Sequence, residues 1–423
     1  MGALLSKAKL VLEDATLRRR LFFTLGALVL FRLLANIPMP GIDIARLAEL
    51  LTNNQFLGLF NVFSGGGLSN VSIVMLGVGP YITATIIMQL LTMMFPKLKE
   101  MYHEEGEAGR AKFSQYSRLL TIPLAIVQSF AFLFILERQG IVPALDLMGT
   151  ITSVATVAAG SILLMWLGEL MTEFGIGNGV SLLIFAGIVA VLPTTISQLW
   201  FSFDVSQIPL YIAFVLVSLA IIMGVVIVTE AERPVPITYA KRVRGMKVYG
   251  GVSTYLPLRV NQAGVIPIIF ALSLLILPQM LLQFLVNVPS EWVKTASQFA
   301  LDLINDRWLY SLVYFIFVFA FTYFYTAVTF DPEAISTNLQ KSGAFIPGVR
   351  PGHPTALYLS QVLTRITFVG ALFLAVIAVL PYIVQSVTNI QALAIGGTSL
   401  LIVVSVVLDL VRRVNAQITM REY

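Results

Sequence analysis

Side chains able to hold a metal ion or attack a carbonyl are scarce in this chain. It has no cysteine and only two histidines, His103 and His353, far apart and both between apolar runs. Disulfides, thiolate metal sites and cysteine nucleophiles are therefore excluded. No H-E-x-x-H, G-x-S-x-G or Walker A pattern occurs. The sequence reads as that of a non-enzyme without metal or other cofactor, so any energy for its work must come from a partner. The polar groups near the apolar runs are few. Arg32 stands about eleven residues into the first run, where a charge is by default functional or paired. Glu169 and Glu173 stand i,i+4 near the end of another run and read as interfacial. Gln89, Asn261 and Gln262 are uncharged hydrogen-bonding groups at the ends of two more.

The elements that carry these residues are set by hydropathy. Of 423 residues, 57% are hydrophobic and 12% charged, against about 25% charged in a soluble domain. Charge is absent from residues 50–96, 147–168, 174–203, 205–229, 260–290, 308–330 and 366–408. Each stretch exceeds the roughly 20 apolar residues that cross a bilayer as a helix. Barrel strands alternate polar and apolar residues, and these runs do not. Ten helical spans are expected, at 21–38, 71–95, 119–137, 150–171, 179–199, 209–229, 264–286, 308–330, 358–386 and 391–411. The first follows a basic N-terminus but has no small-residue cleavage site and continues into Arg32, so it reads as a retained span.

Orientation follows from Lys and Arg in the loops. With both termini in the cytoplasm, 22 of the 27 Lys and Arg lie on the cytoplasmic side. Arg46, Arg138, Lys294 and Arg307 lie outside, and Arg32 lies in a span. Ten spans divide into two halves, residues 1–200 and 201–423, of five spans each. The first half starts inside and the second outside, so any repeat between them is inverted, as in many proteins that move a substrate across a membrane.

The charge-free stretch 50–96 is interrupted by Gly65-Gly66-Gly67, which disfavours a helix. The preceding Leu57 to Ser64 is too short to span. It is either an interfacial surface helix or a re-entrant segment, the latter tolerated only against protein or a water-filled cavity.

Several segments carry a family resemblance. Ile37-Pro38-Met39-Pro40-Gly41-Ile42-Asp43 ends span one, and Gly79-Pro80-Tyr81-Ile82-Thr83-Ala84-Thr85-Ile86-Ile87-Met88-Gln89-Leu90-Leu91 lies in span two. Gly175-Ile176-Gly177-Asn178-Gly179 turns into span five. Ala231-Glu232-Arg233-Pro234 and Tyr239-Ala240-Lys241-Arg242 follow span six, and Asn261-Gln262-Ala263-Gly264-Val265-Ile266-Pro267 opens span seven. Phe345-Ile346-Pro347-Gly348-Val349-Arg350-Pro351-Gly352 follows span eight, and Gly396-Gly397-Thr398-Ser399-Leu400-Leu401-Ile402 lies in span ten. In this order, over nearly the whole chain, they resemble the SecY family of protein-conducting channels.

The resemblance implies an all-α polytopic fold of ten transmembrane helices in two inverted halves of five, with a short re-entrant plug helix. It implies an hourglass pore whose waist is Ile82, Ile86, Ile184, Ile188, Ile269 and Ile402. Ile82/Ile86 and Ile184/Ile188 are i,i+4 pairs, so each pair shares a helix face. Taken singly, each isoleucine reads as ordinary packing or a lipid contact. The plug falls at about Leu57 to Asn70, with Leu57, Phe60, Asn61 and Phe63 in its body and Gly65, Gly66 and Gly67 as its hinge. Spans two and seven would flank a lateral gate, with Gln89, Asn261 and Gln262 as its polar candidates. Interhelical hydrogen bonding is their ordinary reading. Lys241, Arg242, Arg244, Lys247 and Arg350 would dock a ribosome, through rRNA phosphates, or the motor ATPase SecA. Obedience to the positive-inside bias, or contact with anionic lipid, is the plainer reading. The family also implies SecE and SecG as small membrane partners, signal peptides and nascent chains as substrates, and a bacterial cytoplasmic membrane.

A secondary transporter of a small solute is the competing function. It fits an inverted repeat and a broken helix, but such proteins place ionisable residues near the midplane, where this chain offers only Arg32.

Overall fold

A computed structural model describes residues 14–39, 68, 71–103, 105–138, 140–143, 146–201, 208–239, 242–244, 247–249, 253–286, 288, 290–388 and 396–422. The expected plug residues Leu57, Phe60, Asn61, Phe63, Gly65, Gly66 and Gly67, and the docking candidate Lys241, lie outside these.

A helix is found at each of the ten expected positions. They are α1 (Ala15–Ala35), α2 (Gly79–Met94), α4 (Gly106–Arg138), α5 (Leu147–Phe174), α6 (Gly179–Phe201), α7 (Ile208–Glu230), α8 (Ile266–Leu285), α10 (Arg307–Thr329), α12 (His353–Thr388) and α13 (Gly396–Glu422). Three more were not expected: α3 (Pro96–His103), α9 (Glu291–Asn305) and α11 (Pro332–Lys341). Among the described residues, six helices are long and apolar enough to cross a membrane, and α2 with α3 makes a seventh if the bent pair is one span. Their outward faces are apolar. On α7, Ile212, Leu216, Leu219, Met223 and Ile227 are exposed, as are Phe22, Val29 and Leu33 on α1. Such continuous apolar surface belongs against lipid.

Span two begins later than expected. Residues 71–78 are turns, not helix. Val71 and Gly77 both have positive φ, at 38° and 58°, and Pro80 then sits in the first turn of α2, where its missing N–H costs nothing. The turn stretch is held from both sides. Met39 N–H donates to the Val71 carbonyl at 3.0 Å and Ile73 N–H to the Ile37 carbonyl at 3.1 Å. Ser161 of α5 donates to the Gly77 carbonyl at 3.0 Å, and a Cβ on Gly160 would overlap the Ile73 carbonyl oxygen. At its other end α2 stops at Phe95, which is extended before Pro96, and α3 leaves at 115°.

Arg32 is also placed differently. α1 ends at Ala35, so Arg32 lies in its last turn, where a cation complements the helix dipole.

The long segments after spans six and eight are not plain loops. β1 (Glu232–Tyr239) pairs antiparallel with β4 (Ser253–Arg259) and with β5 (Ala344–Phe345). β2 (Arg242–Arg244) and β3 (Lys247–Tyr249) form a second hairpin. The three-stranded sheet buries Val235, Leu258 and Ile346 against Phe330 and against Leu359, Val362, Leu363 and Ile366 of α12. This explains why α12 begins at His353, earlier than expected: its first turns are the floor of the sheet.

The two expected halves meet along two principal seams. α8 packs on α2 and α4, and α13 packs on α6. Within the helices many hydroxyls donate to carbonyls of their own helix four residues back. Thr83 and Thr85 do so on α2, Ser117, Thr121 and Ser129 on α4, and Thr322 and Thr326 on α10.

Candidate functional site

Ile82 and Ile86 of α2, Ile184 and Ile188 of α6, Ile269 of α8 and Ile402 of α13 are all buried, each 7% exposed or less. All six belong to one apolar cluster, together with Val78, Leu182, Val265, Ile268, Leu401 and Val406. That cluster is broad, reaching Phe31 of α1, Tyr314 of α10 and Tyr382 of α12 as well; of the six isoleucines, Ile82, Ile184 and Ile269 line a common cavity. A second cluster gathers Leu68, Val71, Met75 and Leu76 with Ala131, Phe132 and Leu136 of α4 and Met280 of α8. Leu68 is the one described residue of the expected plug segment that reaches it.

The GIGNG turn that aims α6 is fixed residue by residue. Gly175 caps α5 with its N–H on the Met171 carbonyl. Gly177 has φ +89°, accessible to glycine at little cost. Asn178 accepts from Ser181 N–H at 3.1 Å as an N-cap, and Thr172 accepts from Gly179 N–H at 2.9 Å. Ile184 and Ile188 follow one and two turns later.

Beside the aliphatic cluster lies a cavity of about 470 Å³. Its lining mixes apolar side chains, Ile82, Ile184, Ile266, Ile269 and Phe270, with polar ones, Tyr81, Thr85, Gln89, Arg118, Glu169 and Glu173. Glu169 was read from sequence as interfacial; it is paired with Arg118 at 2.7 Å. A second cavity of about 240 Å³ is lined by Asn261, Gln262, Asp409, Arg412 and Arg413. The two share Asn178, Ser181, Ile266 and Tyr325. The three polar candidates are therefore split between cavities. Gln89 lines the larger, and its buried Oε1 has no partner among the described residues. Asn261 and Gln262 line the smaller from the turn that precedes α8. There Gln262 accepts from Arg259 N–H at 3.3 Å, and Asn261 Oδ1 is buried without a partner among the described residues. The sequence did not reveal the cation at the back of the smaller cavity. Arg412 of α13 holds Glu230 at 2.7 Å and donates to the Thr229 carbonyl at 2.6 Å.

Of the basic candidates, Arg350 is exposed at the tip of a tightly held turn. Gly348 and Gly352 take positive φ, Thr355 donates to the Arg350 carbonyl at 2.8 Å, and Ser336 donates to the Gly352 carbonyl at 2.6 Å. Arg242, Arg244 and Lys247 lie on the β2–β3 hairpin, Arg244 paired in register with Lys247. Among the described residues no cluster of His, Asp and Glu could hold a metal ion.

These features define a helical polytopic membrane protein with a broad apolar core and two adjoining cavities. The SecY family model matches residues 72–411. The chain is 44% identical to a protein translocase subunit SecY of Thermotoga maritima over 96% of its own length and 94% of the relative's. It is 42% identical to that of Corynebacterium glutamicum, with 97% of each covered. The chain belongs to the SecY family. Its fold is similar to a solved protein-conducting channel, with TM-score 0.66, 19% identity and coverage of 96% and 93% of the two chains. It is also similar to canine Sec61 in a ribosome–channel complex, with TM-score 0.62, 19% identity and the same coverage.

Proposed function

We propose that this chain is the pore of a protein-export channel. Unfolded secretory polypeptides cross the membrane through it, and hydrophobic segments leave it sideways into lipid. The observation that carries this reading is that the six isoleucines of α2, α6, α8 and α13 are all buried in one apolar cluster and that Ile82, Ile184 and Ile269 line one cavity. An apolar constriction empties of water and blocks ions without any charge. Its walls belong to separate helices, so it widens when those helices move apart. Membership in the SecY family supports the same conclusion. A small-solute transporter has no such support.

The seam between α8 and α2 is the lateral exit. A signal-peptide core gains about 0.3–0.6 kcal/mol per central Leu-like residue on entering lipid, which biases apolar segments outward and leaves polar ones in the pore. The cavity lined by Ile82, Ile184 and Ile269 also carries polar side chains, and such a mixed lining suits a partly apolar chain. Residues 57–70, hinged at Gly65–Gly67, seal the outer side as a plug. The ten spans form two inverted halves with both termini in the cytoplasm of a bacterium.

No nucleotide-binding pattern is present in the sequence, so force comes from a docked partner. Arg350 on its rigid turn, with Lys241, Arg242, Arg244 and Lys247, forms the docking face for a ribosome or SecA. SecE and SecG complete the membrane complex, and anionic lipid meets the remaining cytoplasmic cations. The deciding experiment is site-specific crosslinking of a stalled secretory chain to position 86 or 402 in membrane vesicles. Adducts at both support the pore; adducts at neither, with radiolabelled solute uptake instead, would overturn it.

A further inference from the structure

We propose that α9 is an interfacial helix whose outward stripe, Trp292, Ala296, Phe299 and Leu303, is seated in phospholipid at the bilayer surface. The proposal rests only on α8 and α10 crossing a membrane, not on what passes through the pore.

α9 hangs between these two apolar helices. It leaves the end of α8 that is remote from the β1–β4 sheet and joins α10 at Asp306, which is both the C-cap of α9 and the N-cap of α10. Both joints are short, so α9 lies level with the ends of the spans. At roughly 100° per residue its side chains sort into three faces. Val293, Ser297, Ala300 and Ile304 are buried or half-buried, on a helix that packs against α8 and α10. Glu291, Lys294, Gln298 and Asp302 form an exposed polar face. The third face is apolar and exposed: Trp292 is 80% exposed, Phe299 68% and Leu303 49%, with Ala296 between them.

The three faces stand about a third of a turn apart. A helix lying on a membrane needs one side against the protein, one toward water and one in the acyl boundary. Lipid is the occupant because α10, joined to α9 at Asp306, is itself an apolar span that exposes Leu312 and Ile316. Trp308, in the first turn of α10, is 72% exposed, and tryptophans at span ends mark the headgroup level. Because α9 packs on α8, its seating fixes the height of the α8 end in the bilayer.

The chain has no cysteine, so single cysteines can be placed at each position from 291 to 304 and spin-labelled. The full-length protein, with any copurifying subunits, is reconstituted in phosphatidylethanolamine–phosphatidylglycerol vesicles. Collision with oxygen, which partitions into lipid, is compared with collision with a water-soluble nickel chelate. Oxygen should exceed nickel at 292, 296, 299 and 303, nickel should exceed oxygen at 291, 294, 298 and 302, and both should be low at 297 and 300. Nickel dominance at 292, 296, 299 and 303 would place the stripe in water. Low values for both probes there would place a protein partner over it. Either result overturns the proposal.

Discussion

Arg118 of α4 donates from Nε to Oε1 of Glu169 on α5 at 2.7 Å, and the acid is the more enclosed partner, 17% exposed against 47%. The pair ties α4 to α5, and both residues line the larger cavity. Because the guanidinium is nearly half exposed, water screens the attraction. A double-mutant cycle of Arg118→Gln and Glu169→Gln should give a coupling of no more than about 1 kcal/mol, read from thermal unfolding in detergent. A coupling several times larger would show that the site is drier than its geometry implies.

The aliphatic cluster makes a sharper prediction. Ile86→Asn and Ile402→Asn each place an amide among buried methyls and should let water and ions through at rest. Single-channel recordings in planar bilayers should show leak conductance in both variants and little in the parent chain. Unchanged conductance in both would remove the waist.

The contact between Gly160 and the turn before α2 should tolerate no added carbon. A Cβ there meets the backbone carbonyl of Ile73, and backbone cannot rotate away as a side chain can. Gly160→Ala should cost about 1–3 kcal/mol, the range for overpacking a core, measured as a lowered denaturation midpoint or faster proteolysis in membranes. A control change to alanine at Gly26, where a Cβ meets nothing within 4 Å, should leave the midpoint near the parent's.

Arg350→Glu should abolish export while leaving membrane insertion and the midpoint unchanged, because the side chain is exposed and the turn is held by backbone carbonyls. Translocation of a reporter preprotein into vesicles checks it; export at parent level would remove the docking role.

Deleting residues 57–67 should leave the ten helices in place and make the resting pore leaky, measured by ion efflux from vesicles. A sealed pore after deletion would favour an interfacial helix over a plug.

Hydropathy located the helices because burial in lipid needs only apolar length, whereas nothing but the family resemblance singles out Ile184 and Ile188 from the chain's many other isoleucines. Other features were hidden for definite reasons. Val71 to Val78 is apolar enough to extend a span, but hydropathy is blind to the positive φ of Val71 and Gly77. The Gly79-Pro80 pair was the sign of a later start. In β1, Pro234 and Pro236 mask a strand, yet Val235 and Ile237 alternate inward between exposed neighbours, a period-two pattern that was available. α9 is too short to span and fell below any membrane criterion, although Trp292, Ala296, Phe299 and Leu303 recur at helical spacing. The Arg412–Glu230 pair joins residues far apart in the chain, and nothing local announces it.

The hydroxyls of Thr83, Thr85, Ser117, Thr121 and Ser129 spend their protons within their own helices. Hydroxyls satisfied inside their own helix need no partner on a neighbouring one. If the proposed exit between α2 and α8 opens, these five groups strand no donor in hydrocarbon, so threonine and serine in those walls add nothing to the work of each opening.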